Sequence, residues 1–194
     1  MQTTTPDLAP QTAEVARVVA GVRNDQLTDP TPCAGTSVAA LLDHLDGLTV
    51  AFRRAAEKAP QEGGPSADAA HLAADWRTRL PEQLDALAAA WRSPGATDGL
   101  TEVGGVRMPA AATALVALNE VLIHGWDLAV ATGQDYRADP ASVQACLEFG
   151  QEFAAGAPEA RDEMYGPVVP VPEDAPVFDR LLGQTGRDPG WTAS

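Results

Sequence analysis

The run from Met108 to Tyr136 carries no lysine and no arginine, yet it sets Glu120, His124 and Asp127 in an otherwise apolar stretch. Such a run is stable as a helix buried on nearly every face, and a carboxylate buried with it needs a partner. Glu120 lies four residues before His124, so the two side chains leave one helix face as neighbours. Three kinds of partner are open to these acids: His124 itself, an arginine from a distant element, or a metal ion held jointly with His44. The chain has three histidines in all, and His44, like His124, falls within an apolar helical stretch.

The rest of the chain reads as helices separated by Gly and Pro. A first helix is expected from about Leu8 to Val22, with Val15, Val18, Val19 and Val22 as its apolar stripe. A second opens after Gly35 with Thr36 or Ser37 as N-cap and carries Val38, Leu41, Leu42, Leu45, Leu48 and Phe52 inward, ending near Lys58. His44 falls at the edge of that stripe. A third is expected from about Ser66 to Trp91, kinked or split at Pro81. Ser93 to Pro109 is a connection with one short extended piece, Leu100 to Met108. The fourth helix runs from about Ala110 to Thr132 and stops at Gly133. The fifth starts at Asp139-Pro140 and runs to about Ala155. The remainder, 156–194, is Pro-rich and mostly extended. Within it only Ala175 to Leu182 reads as helical, with Val177, Phe178, Leu181 and Leu182 forming a patch that docks on the bundle or on a second subunit, as in a homodimer.

At 194 residues the chain is expected to form one helical domain, able to bury a core without a structural metal or disulfides. A net charge of -14 argues against a nucleic-acid partner or an anionic membrane, because binding there rests on Lys and Arg. Asn119, Glu120, His124 and Asp127 interrupt the longest apolar stretch, so no membrane span is expected. Met1 to Pro10 lacks the basic start and apolar core of a secretory signal, which makes the cytoplasm the default location. Cys33 and Cys146 are too few and too distant for a disulfide framework.

His44 with Glu120 and His124 would give two imidazoles and one carboxylate from facing helices, leaving coordination positions open to water or substrate. Spacing alone does not choose between this and an ordinary buried acid–histidine pair. Asp127, three residues beyond His124, could orient that histidine or act as a base. Arg180 and Arg187 in the tail could bind a carboxylate or an anionic cosubstrate, or anchor the tail by salt bridges. Cys33 precedes a helix N-terminus, where the dipole favours thiolate, although Pro32 and Gly35 beside it suit a small buried residue in a tight turn. Trp126 and Cys146 read as core, and His71 as surface.

Three stretches carry a resemblance: Pro32-Cys33-Ala34-Gly35-Thr36-Ser37-Val38, Leu41-Leu42-Asp43-His44-Leu45, and Asn119 through Ala129. Together they resemble the metal-binding N-terminal domain of mycothiol-dependent maleylpyruvate isomerase and its relatives in the DinB-like superfamily. The tail motifs Val169-Pro170-Val171-Pro172, Asp179-Arg180-Leu181-Leu182 and Gly186-Arg187-Asp188-Pro189 resemble single-domain members of the group.

The resemblance implies an all-α, DinB-like four-helix bundle with an additional helix and a Pro-rich C-terminal tail, holding a divalent metal at His44, Glu120 and His124. Zinc is the first choice, with nickel, iron or manganese also compatible with such ligands. It implies a low-molecular-weight thiol, mycothiol or bacillithiol, as cosubstrate and a small electrophile as substrate, in thiol transfer or isomerisation. The isomerase proper has a further C-terminal domain that supplies an active-site arginine. Here only a short tail stands in that place, which argues against maleylpyruvate itself. The alternatives are a specialised biosynthetic or detoxification enzyme, isomerase or hydrolase, on the same scaffold, and a non-catalytic metal-binding or interaction module.

Overall fold

A computed structural model describes residues 6–59, 66–156, 161 and 165–193. Four helices form the bundle: α1 (Ala9–Gly21), α2 (Val38–Ala56), α3 (Trp76–Trp91) and α4 (Ala110–Ala131). Helices α1 and α2 each pack against both α3 and α4. Between α3 and α4 lies a hairpin of β1 (Leu100–Val103) and β2 (Val106–Pro109), paired antiparallel with Val103 opposite Val106. Then α5 (Pro140–Gly156) packs on α4, and α6 (Val177–Gln184) packs on α5.

The local chemistry accounts for most of these boundaries. Ser37 caps α2 by accepting from the Ala40 backbone N–H, and Arg53 and Arg54 sit in its last turn, where cations complement the carbonyl end. Asp139 accepts from both the backbone and the hydroxyl of Ser142 at the start of α5. Helix α4 is buried on almost every face, from Ala114 and Leu118 through Leu122 to Leu128. By length and composition it could cross a membrane, but 89% of its most apolar window is buried inside the protein, so the bundle accounts for its apolarity.

Three expectations need correction. The third helix begins at Trp76, not Ser66, and Pro81 lies inside it without splitting it. Residues 66–68 are instead drawn to α2, where Asp43 Oδ2 accepts from the Ser66 hydroxyl (2.9 Å) and the Asp68 backbone N–H (3.1 Å). A short 3-10 turn, Ala69–His71, follows. The extended piece at Leu100 to Met108 is a true hairpin, because Gly104 and Gly105 both take positive φ (57° and 80°), as a tight hairpin turn requires. The Pro-rich remainder is not extended at Arg161 and Tyr165, which have helical backbone, while 157–160 and 162–164 lie outside the described residues.

The tail nevertheless packs closely. Leu181 and Leu182 are fully buried, and Phe178 stacks on Tyr136 with ring centroids 6.1 Å apart. The apolar patch of α6 thus docks on its own chain. Beyond α6, Gly186 has φ 76°, and a Cβ there would lie 2.4 Å from the Tyr165 carbonyl oxygen. Only glycine lets the tail turn back so tightly, and that turn delivers Arg187 to α4.

Candidate metal centre

His44 projects from α2, and Glu120 and His124 project from α4, into one cavity of about 520 Å³. His124 Nε2 lies 3.2 Å from Glu120 Oε2, and His44 Nε2 lies 3.9 Å from the same oxygen. The two imidazoles meet edge to face with centroids 5.0 Å apart. The ligand atoms of all three residues fall within 4.8 Å of one another. Donors bound tetrahedrally at zinc distances stand about 3.3 Å apart, so the His124–Glu120 pair is already at that spacing, and His44, 3.9 Å from Glu120 and within 4.8 Å of the His124 ligand atom, must move inward by a side-chain adjustment.

The outer nitrogens of both histidines are engaged. His44 Nδ1 is 3.2 Å from the Ser66 carbonyl oxygen, in the segment that Asp43 pins. His124 Nδ1 is 3.0 Å from Asp127 Oδ2. A carbonyl and an ionised carboxylate can only accept, so each Nδ1 carries a proton, leaving Nε2 on both rings as the atom presented to the site. Such outer partners fix the tautomer and aim of a histidine ligand.

The two acids of α4 have divided the available cations. Asp127 is fully buried and receives Arg187 from the tail, with Nη2 to Oδ2 at 2.9 Å and Nε to Oδ1 at 3.3 Å. Both its oxygens are committed and it does not line the cavity, so of the roles left open by the sequence it has the geometry of an orienting acceptor, not of a base. Among the described residues, Glu120 is paired directly with the two histidines alone. Burial works against its ionisation, but hydrogen bonds and charge from His124 and His44 outweigh that and hold its carboxyl well below the usual range. Burial likewise disfavours a charged His124, yet Asp127 and Glu120 overcome it and push the imidazole up to about 10. The two carboxylates thus favour the protonated imidazole, with its Nε2 facing Glu120.

Arg187 reaches the site as a clamp on Asp127 and does not extend free into the cavity. Arg180 lines a separate surface groove with Gln151 and Glu173. His71 is exposed and pairs loosely with Asp68 at 3.7 Å, and Cys146 is buried in α5. Cys33 departs from the buried-turn expectation: it is half-buried on the cavity wall, with its sulfur accepting from the Thr36 hydroxyl at 3.7 Å. Its sulfur also lies within 4.8 Å of ligand atoms of His124 and Asp127.

Two cavity residues escaped the sequence reading. Asn119 Nδ2 donates to the Tyr165 hydroxyl at 3.2 Å, and both line the cavity beside Glu120. Asn119 precedes Glu120 in the helix, a weak signal. Tyr165 lies 46 positions away, and nothing in the chain's periodicity links the two.

Known proteins share this arrangement of elements. The crystal structure of the mycothiol-dependent maleylpyruvate isomerase superposes with a TM-score of 0.59 at 18% identity, covering 84% of this chain and 71% of that one. A histidine-to-alanine mutant of that enzyme gives 0.60 with the same identity and coverage. At that identity the likeness concerns the fold. Uncharacterized proteins from two strains of Mycobacterium tuberculosis are 28% identical over 187 residues, covering 94% of this chain and 97% of theirs. The profile of the mycothiol maleylpyruvate isomerase N-terminal domain matches residues 8–129, which include every residue of the His44, Glu120 and His124 cluster. The chain therefore belongs to the mycothiol maleylpyruvate isomerase N-terminal domain family.

Proposed function

We propose that this chain is a metal-dependent enzyme that activates a low-molecular-weight thiol, mycothiol by family, towards a small electrophile, with thiol transfer or thiol-assisted isomerisation as the outcome. The metal ligands are His44, Glu120 and His124, and zinc suits two imidazoles and a carboxylate, as would nickel, iron or manganese. The reading rests on one observation above all: both Nε2 atoms converge on the Glu120 carboxylate while both Nδ1 atoms are held by acceptors behind them. A purely structural ion pair does not need two histidines aimed in this way.

A divalent ion bound there would stabilise thiolate over thiol near neutral pH. The protein's own residues supply the rest. Ser66 and Asp127 fix the direction of the two imidazoles, and Glu120 contributes the negative charge that selects a cation. Leu41, Ile123 and Pro167 line the cavity with apolar surface, which limits water around the reacting sulfur. The tail closes one wall through Tyr165, Gly166, Gly186 and Arg187, so bundle and tail act as one domain.

The test is to load the purified protein with zinc, add mycothiol and a panel of electrophiles, and follow adducts and isomers by mass spectrometry and chromatography. Acceleration that disappears on chelation is expected. Rates equal to those of the chelated control across the panel would overturn the reading.

A further inference from the structure

A cavity built for an acidic substrate needs a cation to meet it, and the whole inventory of cations can be followed here. The chain has 13 Lys and Arg, and every one of them lies among the described residues. Arg187 alone among them lines the cavity. Its Nε and Nη2 face Asp127, and Nη1 donates to the Thr185 carbonyl oxygen at 2.7 Å. With Asp127 fully buried, that pair cannot open without stranding a charge inside the protein. The remaining charges also close without a substrate anion: a divalent ion is balanced by Glu120 and one thiolate. A carboxylate substrate would enter a site whose one arginine is already paired with Asp127, on a protein whose net charge is already -14.

The same wall offers a different recognition element. The Tyr165 hydroxyl accepts from Asn119 Nδ2, and no acceptor among the described residues takes its own proton. Burial, with the charge of Glu120 adding to it, keeps this phenol neutral far above physiological pH. It is a fixed neutral donor beside the ligand cluster, the kind of group that stabilises charge developing on a carbonyl oxygen.

We propose that the cavity takes an uncharged electrophile whose carbonyl oxygen accepts a hydrogen bond from Tyr165, and that it turns away carboxylates because Arg187 is spent on Asp127. This rests on the thiol-activating reading above and narrows its substrate class. For an unsaturated ester the step balances simply. The sulfur–carbon bond forms, the alkene electron pair moves towards the carbonyl oxygen at Tyr165, and the proton released by the thiol returns to the adjacent carbon.

The experiment compares dimethyl maleate with maleate, using zinc-loaded protein and mycothiol, each rate expressed relative to the uncatalysed addition. The diester is expected to be accelerated at least tenfold more than the dianion, and equal or greater acceleration of the dianion would overturn the proposal. Tyr165→Phe should lower the diester acceleration roughly three- to thirtyfold, the loss of one buried hydrogen bond, with metal content and the KM for thiol unchanged. Wild-type rates in that variant would remove Tyr165 from the proposal. If neither alkene is accelerated, the thiol reading fails, and the charge preference is still decided by binding. Saturation-transfer NMR with dimethyl succinate and succinate should then detect the diester alone, and succinate binding, or no diester binding, overturns the inference.

Discussion

Glu120 and Asp127 lie two turns apart on one cation-free helix, and their surroundings have resolved the same electrostatic problem in opposite ways. Asp127 is closed off by a permanently charged arginine that also anchors the tail. Glu120 faces a cavity and, among the described residues, pairs with imidazoles alone, whose charge, in the function proposed above, a metal ion replaces. On that proposed function, the difference separates structure from function. A guanidinium cannot give up its proton and so makes a lasting joint, whereas the histidine cluster holds a replaceable charge. The two halves meet at His124, which hydrogen-bonds to Asp127 through Nδ1 and reaches Glu120 through Nε2.

The strongest way to break this division is to remove the permanent charge. Arg187→Ala leaves Asp127 buried without its cation, so unfolding in denaturant should show a loss of about 3–5 kcal/mol, together with proteolytic exposure of the tail. A loss below about 1 kcal/mol would mean that Arg187 is not the joint. Next in size, Asp127→Asn should weaken zinc binding about 10–100-fold, because the second partner of a ligating histidine sets its orientation and basicity. Competition with a chromophoric chelator measures this directly, and unchanged affinity would detach Asp127 from the site.

The exchangeable half predicts a pH signature. The folded-state value of His124, about 10, lies above its ordinary 6.5, so its contribution to metal-free stability is full below pH 6.5 and fades as pH rises towards 10. Glu120 is shifted downward, so its contribution is full above pH 4.5 and is lost as pH falls further. Chelated protein should therefore melt highest between about pH 4.5 and 6.5, and zinc should remove the decline on the alkaline side by replacing the proton on Nε2. A metal-free melting temperature that climbs from pH 6.5 to 9 would contradict the assignment. The smallest effect is expected at Arg180, which lies in the groove away from both acids. Arg180→Ala should change stability by no more than about 0.5 kcal/mol and leave zinc affinity untouched.

What the chain reveals by itself follows the range of the interactions. Val15, Val18 and Val19, or Leu41, Leu45 and Leu48, declare buried helix faces because helical periodicity is local. The Glu120–His124 pair is legible for the same reason. The hairpin had a signal in Gly104-Gly105, but four-residue strands give too little alternation to stand out beside it. The late start of α3 depends on Asp43 capturing Ser66 and Asp68, more than twenty residues distant. The pairing of Asp127 with Arg187 spans 60 positions, and that of Asn119 with Tyr165 is equally invisible to periodicity. His44 entered the candidate set from its place in an apolar helical stretch, and the family resemblance matched it to a ligand position. Its geometric fit rests on the packing of α2 against α4 and on the Ser66 carbonyl behind it.

The most direct measurement is the zinc content of protein purified without a histidine tag, dialysed after zinc loading, for the wild type beside His44→Ala and His124→Ala. Elemental analysis should find about one equivalent in the wild type and less than about a tenth in each variant, with circular dichroism showing all three folded. Wild-type protein holding less than a tenth of an equivalent, or both variants retaining the full amount, would contradict the assignment of this cluster as the metal centre.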